Sequence, residues 1–138
     1  MHVMVQIGLV GLGGALGSLL RWGVAVTCAR WFGTGFPWGT FLINLSGSLF
    51  LGWFSTMLAD RLLGNGGTWI RADDLRLMVA VGFTGAYTTF STYEYESHQL
   101  FKDGDSLKGM SYLFGSMFLG LLAVRLGVML ARLGRDAT

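Results

Sequence analysis

Apolar residues fill four long stretches of the chain, and charge is confined almost entirely to the gaps between them. Val3 to Cys28 holds one charge, Arg21, and Trp38 to Ala59 holds none. Leu77 to Tyr93 holds none and extends past both ends; Gly109 to Val124 holds none, and beyond Arg125 the apolar character resumes to Ala131. About 20 apolar residues suffice for a helix to cross about 30 Å of hydrocarbon. Each run is apolar nearly all round rather than striped, as expected where lipid or protein lies on every side. The pattern predicts an all-α integral membrane protein, one domain over 1–138, with crossing helices at roughly 3–31, 38–62, 74–100 and 107–133. The first run lacks a basic leading region and is too long for a signal-peptide core, so it is read as a crossing helix.

Composition sharpens this picture. Charged residues make up 13% of the chain, against about 25% in soluble domains, and mean hydropathy is +0.54. That balance argues against both a water-soluble domain and a disordered chain. The 22 glycines lie inside the apolar runs without a collagen period, as expected where membrane helices pack closely. A net charge of +2 is too small and too scattered for a nucleic-acid binder. Cys28 is the single cysteine, which leaves no intrachain disulfide and no Cys/His zinc pattern. His2 sits at the terminus and His98 in a connection, so no Ser/His/Asp or Cys/His set forms; the chain is not read as an enzyme.

Four crossings place the N-terminus, the second connection and the C-terminus on one side. That side carries Arg61, Arg71, Arg76, Arg132 and Arg135, and the other Arg30, Lys102 and Lys108. Five against three is a weak positive-inside bias. It reads either as a weakly oriented protein or as a chain that inserts both ways and pairs as an antiparallel dimer.

Within such runs the polar exceptions carry the information, because an ionisable or amide group in hydrocarbon must face protein or water. Arg21 follows Gly13 and Gly17 at four-residue spacing, on a face flat enough for a neighbouring helix. It is either snorkelling to the headgroups or a fixed positive charge near an aqueous entrance. In the second run Thr40 and Asn44 share a face, as interhelical glue or as donors lining a path. The third run holds five Ser or Thr residues from Thr84 to Thr92, alongside Gly82 and Gly85. Such residues compete for backbone hydrogen bonds, which predicts a helix broken mid-membrane. Irregular backbone at that depth is tolerated only where it is buried in protein or lines water, and freed carbonyls there can coordinate a cation. In the fourth run Tyr112 and Ser116 begin a polar stripe that continues as Gly120 and Val124, so it fades halfway along. No acidic residue precedes Asp60.

Three motifs, in order and spacing, give the chain a specific likeness. They are G-x-x-x-G-x-x-x-R ending at Arg21, P-W-G-T-x-x-x-N-x-x-G from Pro37 to Gly47, and G-x-x-T-T-F-S-T-Y from Gly85 to Tyr93. With them the chain resembles the Fluc fluoride channels, also called CrcB proteins, over nearly its whole length. The resemblance implies an antiparallel dual-topology homodimer in the bacterial inner membrane, surrounded by lipid, with two fluoride pores. It implies a structural sodium ion at the dimer interface, held by the backbone carbonyls of Gly85 and Thr88. It places the pore-facing aromatic pair at Phe90 and Tyr93, the pore asparagine at Asn44 and the polar track at Tyr112 and Ser116. Arg21 matches a vestibule arginine, and Glu96 an acid beyond the third motif.

Two departures stand out: a tyrosine at 93 where phenylalanine is expected, and no hydroxyl at Gly120 or Val124. The added Tyr93 hydroxyl could donate to fluoride or disturb an edge-on ring contact. A dehydrated anion needs donors; here Thr40, Asn44, Thr89, Ser91, Tyr112 and Ser116 can supply them, while aromatic edges supply positive potential. The expected function is passive, fluoride-selective export down the electrochemical gradient. A small multidrug-type proton antiporter would need a carboxylate in its first helix, which this chain lacks. The other alternative is a non-transporting membrane assembly subunit with packing-only polar groups.

Overall fold

A computed structural model describes residues 2–62 and 72–136, with side chains to Asp60 and from Ala72 to Leu133. Of the charges that set the orientation bias, Arg71 and the side chains of Arg61 and Arg135 lie outside them. Among the described residues the secondary structure is helical throughout. Helix α1 spans His2–Phe32 and ends at Gly33, whose φ of 74° suits glycine. Pro37 precedes α2, Trp38–Met57, which runs on as a π-helical stretch, Leu58–Leu62. Element α3 is composite: α-helical Ala72–Leu75, π-helical Arg76–Thr84, then a last turn, Gly85–Tyr87. Thr88 (φ −80°, ψ 159°) and Thr89 (φ −149°, ψ 122°) are extended. Helix α4 then spans Phe90–Lys102. A tight turn at Gly104, φ 81°, leads into α5, Ser106–Asp136.

Three of these helices are long and apolar enough to cross a bilayer: His2–Phe32, Trp38–Asp60 and Ser106–Leu133. α3 and α4 are each shorter than the roughly 20 residues a crossing needs. The protein core is thin. Ile43 and Tyr112 are its largest fully buried side chains, while Leu16, Trp22, Phe118 and Leu121 are more than half exposed. That distribution belongs to helices whose outer faces meet lipid rather than water.

With little side-chain core, the helices meet backbone to backbone at glycines. Gly13 and Gly17 of α1 press on α3 at Met78, Phe83 and Tyr87, and Gly82 returns the contact at Val10 and Gly14. α2 and α5 pack at Gly52 on the Val124 carbonyl and Gly127 on Leu49 and Trp53. Residue numbers rise together across both interfaces, so each pair runs parallel. The register of α2 against α5 stacks their polar positions in levels: Thr40 and Tyr112 share one, Ser48 and Gly120 the next contact, and Gly52 and Val124 the one after.

Candidate functional site

The interruption at 88–89 is set by a side chain of α2. Asn44 Nδ2 donates to the Thr89 carbonyl at 2.9 Å, and the Thr89 N–H donates to Asn44 Oδ1 at 2.8 Å. In a continuous helix that N–H would close on the Gly85 carbonyl four residues back. The Thr92 N–H, which would close on the Thr88 carbonyl, goes instead to Thr89 Oγ1 at 3.3 Å, an N-cap for α4. The helical partners of the Gly85 and Thr88 carbonyls are therefore both diverted. Gly47 makes room for the kinked chain, because a Cβ there would collide with the Thr88 methyl and the Tyr87 ring. A cavity of about 220 Å³ opens beside the interruption, lined among others by Asn44, Ser48, Thr88, Thr89 and Phe90. An asparagine amide carries two N–H donors. One is given to Thr89, and the other has no protein partner among the described residues.

A second polar cluster lies one to two turns along α4. Thr40 Oγ1 donates to Glu96 Oε1 at 2.9 Å, and the Tyr112 hydroxyl donates to Glu96 Oε2 at 2.8 Å. One half-buried carboxylate thus joins α2, α4 and α5. Tyr93 is buried, and its hydroxyl donates to the Leu113 carbonyl at 2.6 Å. Its proton is committed to α5. The Tyr93 ring stands 5.3 Å from that of Tyr112 and 5.9 Å from that of Phe90. Phe36 meets Tyr112 edge-on at 5.4 Å. A cavity of about 300 Å³ opens at this end, with Thr40, Phe36, Trp38 and Glu96 in its wall.

Asn44, Thr88, Thr89 and Phe90 therefore gather at one cavity, and Thr40 and Tyr112 meet at Glu96, with the Tyr93 ring beside Tyr112. Phe90 is 74% exposed in the single chain, a large ring left mostly uncovered by the described residues. Ser116 Oγ is buried without a hydrogen-bond partner among the described residues. Gly85 precedes the interruption by one turn, and Ser91 is exposed on α4. Arg21, half-buried on α1, joins neither cluster and makes no ion pair with the described residues. Two features escaped the sequence reading. The bridging role of Glu96 needs residues far apart in sequence, so no local signal announces it. Ser48 continues the Thr40–Asn44 stripe by another four residues, and that spacing was the available clue.

Known proteins share this sequence along most of its length. The family model described as "CrcB-like protein, Camphor Resistance (CrcB)" matches residues 8–128. A protein named "Fluoride-specific ion channel FluC" from Chloroflexus aurantiacus is 41% identical, covering 94% of this chain and 97% of the relative. Proteins of the same name from a Synechococcus strain and from Thermus thermophilus are 42% and 44% identical. These matches cover 91% and 86% of this chain, and 92% and 87% of the relatives. With both the family model and close relatives aligned along most of its length, the chain belongs to the CrcB family.

Proposed function

We propose that the protein is a fluoride-specific ion channel, a passive and multi-pass one, that lets cytoplasmic fluoride leave a bacterial cell across its inner membrane. The observation that carries this reading is the Asn44–Thr89 clasp, which holds one free amide N–H beside the exposed ring of Phe90. Fluoride is small and strongly hydrated, and a dry anion in a low dielectric is very costly unless donors replace its water. Asn44 offers such a donor, Ser116 an uncommitted hydroxyl, and Phe90 the positive edge of its ring. Relatives aligned over nearly their whole length bear the name of a fluoride-specific channel, which supports the same ion here.

In this reading α3 and α4 together make the third of four crossings, broken mid-membrane at 88–89. Two chains inserted in opposite senses form the channel, and the uncovered Phe90 ring is the surface a second copy would complete. The two diverted carbonyls, Gly85 and Thr88, fit the structural sodium ion that the resemblance implies, since a hard cation takes oxygen ligands. Bound there, sodium would supply a fixed positive charge beside the anion paths. The chain's own residues do the rest: the Asn44 amide and the Ser116 hydroxyl exchange for water, the rings keep the path narrow against chloride, and multi-site contact lets the ion leave.

Neutral hydrogen fluoride crosses membranes and dissociates in a more alkaline cytoplasm. An inside-negative potential drives the trapped anion out with about 2.3 kcal/mol per charge per 100 mV. The test is efflux from liposomes containing the purified protein, read with a fluoride electrode against a chloride control. Fluoride efflux that needs no proton gradient, with chloride retained, is expected. Vesicles that hold their fluoride, or that release both halides alike, would sink the proposal.

A further inference from the structure

Most hydroxyls in this fold are spoken for. Thr27, Ser46, Thr56, Thr88 and Ser97 each donate back to the carbonyl four residues earlier in their own helix. Thr84 reaches the Val79 carbonyl, Thr40 reaches Glu96, and Thr89 reaches Thr92. Among the described Ser and Thr residues that are not exposed, only Ser48 and Ser116 make no hydrogen bond. Buried or half-buried hydroxyls normally find a partner, so two uncommitted ones in one narrow region call for an explanation.

The parallel register of α2 and α5 supplies it. Thr40 and Tyr112 meet at Glu96. One turn further along the same two stripes come Asn44 and Ser116. One turn beyond that, the Cβ position of Gly120 looks onto Ser48 Oγ at 3.8 Å. The α5 stripe loses its hydroxyl at this level, and α2 presents one at the same place, into the cavity that Asn44 also lines. At the next level Gly52 lies directly against the Val124 carbonyl, so the helices close and no path continues between them.

We infer that Ser48 is a donor of the anion path, replacing from α2 the hydroxyl that α5 lacks at Gly120. This rests on the cavity being part of a fluoride route. Successive levels are four residues apart, about 6 Å along a helix. That is about twice the length of one hydrogen bond, so a small anion can engage one level as it leaves the last. Gly120 serves the arrangement by leaving the Ser48 hydroxyl uncovered.

The experiment is a rescue. Fluoride efflux per reconstituted protein is measured for the wild-type chain, Ser48→Ala, Ser48→Ala with Gly120→Ser, and Ser48→Ala with Gly120→Ala. Alanine is the better helix former, and the nearest atom to the Gly120 Cβ position is Ser48 Oγ itself, so all four chains should fold. Ser48→Ala should lower efflux about tenfold, the worth of one hydrogen bond to an anion. Gly120→Ser should restore most of it from the other helix, and Gly120→Ala should restore none. Wild-type-like efflux in Ser48→Ala overturns the inference. So does a loss that Gly120→Ser fails to reverse, or that Gly120→Ala reverses equally well. A wild-type chain that carries no fluoride fails earlier, at the channel reading itself, and takes the inference down with it.

Discussion

Asn44→Asp tests the centre of the site with a change of one atom type. Asparagine gives Thr89 a donor at 2.9 Å and an acceptor at 2.8 Å. A carboxylate keeps the acceptor but sets a second oxygen against the Thr89 carbonyl. It also places a negative charge where the free amide N–H would meet the anion. Two like charges at about 4 Å, in an effective dielectric of about 20, repel by about 4 kcal/mol. At 1.4 kcal/mol per factor of ten, that is about a thousandfold loss of occupancy. Asn44→Ala removes both hydrogen bonds without adding charge. At about 1 kcal/mol each, its effect should stay near tenfold to thirtyfold. The assay is initial fluoride efflux from liposomes for wild type and both variants, at neutral and at acidic pH. Flux should rank wild type, alanine, aspartate, and acidification should raise the last toward the second as the introduced carboxylate is neutralised. An aspartate variant conducting as well as the alanine variant would remove Asn44 from the ion's route.

Three other outcomes are expected from the packing and the hydrogen bonds. Tyr93→Phe deletes the bond to the Leu113 carbonyl and should lower stability in detergent by about 0.5–1.5 kcal/mol. Fluoride efflux should stay within a few-fold, since that proton is not offered to the anion; a severe flux loss in well-assembled protein would contradict this. Glu96→Gln leaves one of the two hydroxyls from Thr40 and Tyr112 facing an N–H, and should destabilise the protein by about 1–3 kcal/mol, read as a lower midpoint in thermal unfolding. Gly17→Leu drives a side chain into the Phe83 carbonyl and the Tyr87 N–H. Overpacking of about 1–3 kcal/mol or more should show as reduced yield of folded protein by size-exclusion chromatography, and normal yield would argue against the α1–α3 contact.

The long helices were legible because membrane-length apolar runs leave little choice of structure. α1, α2 and α5 lie close to the runs that announced them. The composition of Gly82 to Tyr93 pointed to disturbed helix, and the backbone at Thr88 and Thr89 is extended. The agent of the disturbance was not visible, because Asn44 acts from another helix, across a separation of 45 residues. The same is true of Glu96, whose partners Thr40 and Tyr112 come from two other elements. The π-helical winding of Arg76–Thr84 had no signal in the apolar pattern, since periodicity in an all-apolar run does not report how tightly the helix is wound. Tyr93 was expected to matter through its extra hydroxyl, but its direction depends on where α5 stands, and only the packed chain provides that.

The clasp between Asn44 and Thr89 also bears on biogenesis. In a chain whose second helix has yet to dock against residues 85–92, each N–H there is free to close on the carbonyl one turn back. The nascent segment can then enter the bilayer as ordinary helix, with its polar backbone covered. Opening of the helix at 88–89 then waits on the docking of α2, whose Asn44 makes both hydrogen bonds to Thr89.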